Sequence, residues 1–379
     1  MKFLFASDSF KGTLSSEKII SLLTESAEKI FPGCETFGVP VAGGEGTVDA
    51  VIAVTKGNIK KVRVHGPLLG EPESSYGEFH GDSAIIEMAA ASGLPMVPVE
   101  KRNPLNTTTF GTGELIRDAL DSGYRKISIA IGGSATNDGG MGAMAALGVK
   151  FLDKDGKELT GVGADLEKVA DIDVSGIHPA VKETEFTVMC DVNNPLTGPT
   201  GATYTFGKQK GGTPEILDRL EAGMLHYAAV IQEKLGVDAD HFEGAGAAGG
   251  LGAAFKVFLH ANMKSGIETV LDLIDFDHLL DGVDLVVTGE GRIDWQSAFG
   301  KVPRGIGMRC KKKGIPAVAI VGGMGDGAEK IYDFGVESIL PTINGAMDIE
   351  EALERADELY KGAADRMFRM LRAGMSLKK

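Results

Sequence analysis

Apolar residues come along this chain in short runs that end in polar, glycine-rich loops, and between the runs stand segments whose apolar positions recur at helical spacing. Residues 2–6 (KFLFA) read as a buried strand that stops at Ser7-Asp8, and Ser15 then opens a helix whose inner face is Ile19, Leu22, Leu23, Ala27 and Ile30. A strand at 36–42 leads into GGEGT and a helix from Thr47 to about Val54, followed by a short strand near Val62. The middle repeats this grammar. It predicts a helix over 111–120, a strand over 126–131, the loop GGSATNDGG and a helix through Met144 to Leu147, then a strand over 186–190, a polar helix from Pro214 to about Lys234 and a helix near 267–274. The last quarter supplies strands at 284–289, 317–322 and 338–343, a helix over 305–313, and one terminal helix from Asp348 to about Leu371. Alternating strands and helices predict an α/β protein with parallel sheets.

Composition narrows this. The chain has 379 residues, which suggests two domains, and its apolar share of 43% is enough for globular cores. The 53 glycines have no G-X-Y period, so they belong to tight turns at strand ends. With 39 Lys and Arg against 53 Asp and Glu, the net charge of −14 excludes a nucleic-acid or membrane-surface binder as the first expectation. Cys34, Cys190 and Cys310 are too scattered for a disulfide framework or a zinc site, which fits a reducing cytoplasm. The start lacks the apolar core of a signal peptide, and no apolar run is long enough to span a bilayer.

In open α/β sheets, ligands bind beyond the carboxyl ends of the strands, so the strand-end loops carry the candidate chemistry. DSFKG places Asp8 and Lys11 where an acid and a lysine can steer a metal and an anion, although an exposed ion pair on a surface turn would look the same. AGGEGT offers Gly43 and Gly44 for close backbone approach and Glu45 for a hydroxyl or cation. In GGSATNDGG, the amides from Gly132 and Gly133 onward can form an anion nest, with Ser134, Asn137 and Asp138 adding side chains. CDVNNPL presents Asp191, Asn193 and Asn194 as hard oxygen donors, or as an Asx-turn before Pro195. GEGRIDWQSAFGK packs Glu290, Arg292, Asp294 and Lys301 into one strand exit, the densest such cluster. There is no P-loop motif and no protein-kinase signature. GAGAAG at 244–249 follows an acidic stretch rather than an apolar strand, so a dinucleotide fold is discounted there.

Taken in order, DSFKG, EMAAASGL, GTGELI, GGSATNDGG, CDVNNPL, GAGAAGGLGAA and GEGRID-Q-GK resemble the bacterial glycerate kinases, a family that includes enzymes of glyoxylate and galactarate metabolism. The resemblance implies a Rossmann-like domain built from 1–66 and 285–379, an inserted α/β domain at 67–284, and an active-site cleft between them with hinges at the two crossings. It implies phosphorylation of D-glycerate by ATP with Mg2+, 2-phosphoglycerate being favoured over 3-phosphoglycerate, in a cytoplasmic enzyme that needs neither nucleic acid nor membrane and is compatible with a homo-oligomer. On that basis Lys11 and Lys301 would contact phosphate, Arg292 the carboxylate or the transferring group, Asp191 and Glu290 the metal, and Asp294 the hydroxyl proton. One departure stands out: the family pattern A-D-G-G-E-G-T lacks its Asp here, since Ala42 precedes Gly43 directly. A non-catalytic sugar-acid sensor or a nicotinamide oxidoreductase would be the rival readings.

Overall fold

The computed structural model describes residues 1–41, 46–298 and 300–377. Its chain divides into two compact units, one formed by residues 1–54 and 266–379 and the other by 55–265. Both divisions fall outside the expected positions near 66 and 285. The strand Asn58–Arg63 pairs into the second unit's sheet, while the helix Gly266–Leu273 packs on the helix Val302–Lys313 of the first.

The first unit is built on five parallel strands in the order Val336–Pro341, Ala317–Val321, Leu285–Thr288, Lys2–Phe5, Glu35–Gly38. From Lys2–Phe5 the chain crosses to one side through the helix Ser16–Ile30. From Leu285–Thr288 it builds the other side through the helix Val302–Lys313. The strand order therefore reverses between Lys2–Phe5 and Leu285–Thr288, which pair in the register Phe3↔Leu285 to Phe5↔Val287. Such a reversal opens a crevice beyond the strand ends. Ser15 Oγ accepts the Lys18 N–H at 3.2 Å and starts the first helix, whose buried Ile19, Leu22, Leu23, Ala27 and Ile30 meet Phe3, Phe5 and Phe368 in the core. Phe368 lies on the helix Ala356–Ser376, and its ring stands 5.3 Å from that of Phe3. The terminal helix is not continuous: Asp348 caps a short helix Ile349–Glu354, and the longer helix starts again after Arg355.

The main sheet of the second unit has six strands in the order Asn262–Lys264, Glu185–Met189, Lys126–Ala130, Ser83–Glu87, Glu73–Phe79, Asn58–Arg63. The first four are parallel, and the last two are antiparallel additions, so this sheet is mixed where parallel pairing was expected. Glu73–Phe79 and Ser83–Glu87 form a hairpin whose turn sets positive φ at both His80 (51°) and Gly81 (79°). The Ser/Glu-rich run ESSYGEF does not look like a strand. It is held by burial of Tyr76, whose hydroxyl donates to Asp118 Oδ2 at 2.8 Å. The carboxyl ends of the four parallel strands carry the loops that begin at Met88, Ile131, Cys190 and Ser265.

Candidate active site

Backbone pairing between the two central strands of the first unit continues past their ends, with Ala6 N–H on Val287 O at 2.8 Å and Asp8 N–H on Gly289 O at 3.0 Å. This brings the DSFKG and GEGRID loops side by side at the reversal point. A Cβ on Gly289 would lie 1.9 Å from Ile320 O, so only glycine lets the acid loop cross the neighbouring strand. Phe10 closes its loop through paired backbone bonds with Leu14 and sets its ring 5.5 Å from that of Tyr360. With Phe10 buried, Lys11 is left exposed at the tip, beside Gly12 at φ 81°. Asp8 Oδ1 accepts the Ser9 N–H at 2.8 Å.

Glu290 is 7% exposed. Lys301 Nζ lies 3.3 Å from its Oε2, while its Oε1 is buried without a hydrogen-bond partner among the described residues. Burial pushes the Glu290 carboxyl above its ordinary value; Ser297 and Lys301 pull it down, and the nearby Asp8 charge pushes it up again. Lys301 stands at the N-cap of the helix Val302–Lys313, where its carbonyl accepts the N–H groups of Arg304 and Gly305. Arg292 and Ile293 pair in parallel with Gly323 and Met324, and Arg292 Nε stands 3.8 Å from Asp294 Oδ2. Thus Asp8, Glu290 and Lys301 form one electrostatic group, with Arg292 and Asp294 paired a turn further on. Gly43, Gly44 and Glu45 lie outside the described residues.

In the second unit, Gly132 and Gly133 are exposed where the strand Lys126–Ala130 ends, and Ser134 bridges back to Gly93. The two polar side chains further along the loop take a different direction from the expected one. Asn137 and Asp138 are fully buried and face the interior, not a ligand surface. Asp138 accepts the Thr109 N–H (2.7 Å) and hydroxyl (2.8 Å) and the N–H groups of Gly140 (3.1 Å) and Gly142 (3.3 Å), so its carboxylate is consumed in holding loop to helix. Burial pushes its carboxyl up against those four bonds. Asn137 Nδ2 donates to Thr203 Oγ1 at 3.2 Å. A residue the sequence reading passed over also belongs here: Lys210 is buried and donates to Thr136 O at 2.6 Å. A lysine in TFGKQKGG looks like a solvated turn; the only sequence signal is the flanking glycine, since a Cβ on Gly211 would meet Arg102 O at 2.2 Å.

The strand Glu185–Met189 ends at Cys190, whose thiol donates to Val192 O at 3.3 Å and is pushed up by burial, as suits a packing residue. Asp191 and Asn193 are exposed, while Asn194 Nδ2 donates to Thr200 O at 2.8 Å. The GAGAAGG stretch follows no strand. It packs its backbone on the 136–139 loop, with the Gly139 N–H on Gly249 O at 2.9 Å. No group of three or more His, Cys, Asp or Glu is arranged to hold a metal among the described residues, and none of their helices is long and apolar enough to cross a membrane.

A strand-order reversal edged by acids and a lysine is a place where an anionic ligand and a cation can bind, and comparison with known proteins says which class of protein uses it here. The sequence model of the glycerate kinase family matches residues 3–372. Curated relatives include a glycerate kinase of Bacillus subtilis, 45% identical over 96% of this chain and 96% of its own. Another is a glycerate 2-kinase of Escherichia coli, 44% identical over 98% and 96%. A crystal structure of a Salmonella typhimurium LT2 protein assigned as glycerate kinase 2 superposes with a TM-score of 0.89, at 42% identity over 99% of each chain. The chain belongs to the glycerate kinase family, and its activity is that of a kinase acting on glycerate.

Proposed function

We propose that this enzyme transfers the γ-phosphoryl group of ATP to the 2-hydroxyl of D-glycerate with Mg2+. The observation that supports the assignment of the site is Glu290, a buried carboxylate with one oxygen unpartnered among the described residues, beside Asp8 and Lys301 at the strand-order reversal. An unsatisfied buried oxygen costs stability unless something is to occupy it. Mg2+ is held through one or two carboxylates plus phosphate oxygens and water, so Glu290 with Asp8 is a fitting donor set. When bound, the ion would neutralise charge on the phosphate chain.

The protein's part is then positioning and charge balance. Lys301, at a helix N-terminus, pulls the Glu290 carboxyl down against burial and offers its ammonium to a phosphate. Exposed Lys11 adds a second cation, and the exposed Arg292 guanidinium, beside Asp294, can fork onto a carboxylate or phosphoryl group. Asp294 is the proposed acceptor of the substrate hydroxyl proton. In the second unit, Gly132, Gly133 and Ser134 form a rim for an anionic substrate group, and exposed Asp191 is a further oxygen donor. Preference for the 2-hydroxyl rests on the Escherichia coli relative, whose name specifies that position.

One phosphorus NMR spectrum of enzyme, ATP, Mg2+ and D-glycerate tests all three parts. The expected product is 2-phosphoglycerate with one ADP released per ester formed. A 3-phosphoglycerate signal would reverse the regiochemistry, and unchanged ATP would mean that another phosphoryl donor is used.

A further inference from the structure

Lys210 is 2% exposed, and a buried ammonium loses its hydration shell, which only fixed acceptors can replace. The Thr136 carbonyl at 2.6 Å is such an acceptor, and Asp138 supplies opposite charge at longer range. Burial nevertheless pulls the Lys210 ammonium down to about 7. In the loop it grips, Thr136 Oγ1 and Asn137 Oδ1 are buried without partners among the described residues, and so is the hydroxyl of Tyr227, whose ring packs against Gly139. Glu221, from the same helix as Tyr227, accepts the Gly198 N–H on Oε1, while its Oε2 also has no partner among the described residues. Packing alone would select an aliphatic side chain at this position, since a lone buried polar group is costly and interiors contain few.

The placement suggests what the lysine is for. Lys210 closes a 3-10 turn, Lys208–Lys210, that directly follows the helix Ala202–Phe206, and Gly211 (φ 92°) fixes the turn against Arg102. Within that short stretch, Thr203 Oγ1 takes the Asn137 side chain and Lys210 takes the Thr136 carbonyl. Two consecutive loop residues are therefore gripped from beneath by one rigid segment. On the other side, Asp138 binds Thr109, Gly140 and Gly142. The grip ends two residues from the buried Ser134, and the exposed part of the loop, Gly132 and Gly133, lies just before it.

We propose that Lys210 is a positioning residue for the reaction: with Thr203 it clamps Thr136 and Asn137 so that the Gly132–Ser134 rim keeps the shape that receives an anionic substrate group. This rests on the reading of that rim given above, which the test separates from the clamp. Loop displacement of about an ångström costs on the order of a hundredfold in turnover when a reacting group must be held in line, so a clamp that never touches substrate still governs rate.

The experiment compares Lys210→Met, Lys210→Gln and Ser134→Ala with the parent enzyme. It records kcat and both KM values, melting temperature, and amide exchange protection at Gly139, Gly140 and Gly142. The expected result is that Ser134→Ala and Lys210→Met raise the same KM, the latter by about tenfold or more with kcat also reduced. Lys210→Gln, which keeps a donor, should recover part of the loss, and exchange should speed up only at those three amides. If Ser134→Ala moves a KM and Lys210→Met changes neither kinetics nor exchange, the clamp is refuted and the rim stands. Where Ser134→Ala moves nothing, the rim reading falls, and the clamp survives only if Lys210→Met still exposes those amides. Failure of both lysine variants to fold would make Lys210 a fold-holding group and overturn the proposal.

Discussion

Glu290 and Asp138 are both carboxylates buried beneath a glycine-rich strand-end loop, one in each unit, and they are satisfied in opposite ways. Asp138 accepts four protein donors and has nothing left to offer, so its charge ties Thr109 and the start of the helix Met141–Ala146 together. Glu290 has a lysine at 3.3 Å on one oxygen and, among the described residues, no partner on the other, and a second acid raises its proton affinity further. In a stable fold the saturated acid can be explained by structure alone. The unsaturated one is where the proposed ligand would bind.

The largest expected effect is on turnover through the open oxygen. Excess EDTA should stop phosphoryl transfer completely, with added Mg2+ restoring it, and Glu290→Gln should lower kcat about 10²- to 10³-fold while leaving the melting temperature near that of the parent. Undiminished steady-state turnover in either case would remove Glu290 from the reaction. Asp138→Ala should show the converse. It leaves four donors without an acceptor and should cost about 3 kcal/mol or more in urea unfolding, because each buried unmet donor costs about 1–3 kcal/mol. A variant of normal stability but no activity would erase the contrast between the two acids.

A smaller effect should appear in pH dependence. Lys301 pulls the Glu290 carboxyl down against burial, so Lys301→Met should raise it further and move the acid limb of the kcat/KM profile to higher pH, besides lowering the plateau about tenfold. An unmoved acid limb would mean that Glu290 does not set it.

The smallest effect concerns stability. The Lys210 ammonium is pulled down to about 7 from an ordinary value of 10.5, so between those limits the unfolded chain binds more protons than the native one. Stability should therefore rise with pH across that window, and Lys210→Met should flatten the slope in urea titrations at successive pH values. Glu290, raised in the native state, acts in the other sense at lower pH: stability should fall as pH climbs from the ordinary glutamate range through its raised value. Equal slopes in parent and Lys210→Met would show that the lysine is hydrated after all.

Strong periodicity made several elements legible: the helix Ser16–Ile30 with its Ser15 cap, and the strands Lys2–Phe5, Lys126–Ala130, Leu285–Thr288 and Ala317–Val321. Glu73–Phe79 was not legible, because its alternation is carried by serines and a tyrosine whose burial depends on Asp118 from a distant helix. The break at Arg355 also escaped, since helix propensity runs unbroken across it. Among site residues, GEGRID and DSFKG were recognisable by charge and glycine, but the inward turn of Asn137 and Asp138 was hidden. A polar loop reads as solvent-facing until donors such as Thr109 and Thr203, distant in sequence, are seen to meet it.

By itself, then, the sequence determined local things: where strands stop, where helices are capped, which loops combine carboxylates, cations and glycine, and through its ordered motifs the family. These depend on interactions within a few residues, and the pattern records them. Only the tertiary structure decided which acid is spent and which is open, that a lysine sits in the interior, and that the strand order reverses between Lys2–Phe5 and Leu285–Thr288. Those outcomes depend on partners about 30 to 280 residues apart, as Asp138 does on Thr109 and Phe3 on Leu285, and desolvation exists only once such partners close around a group.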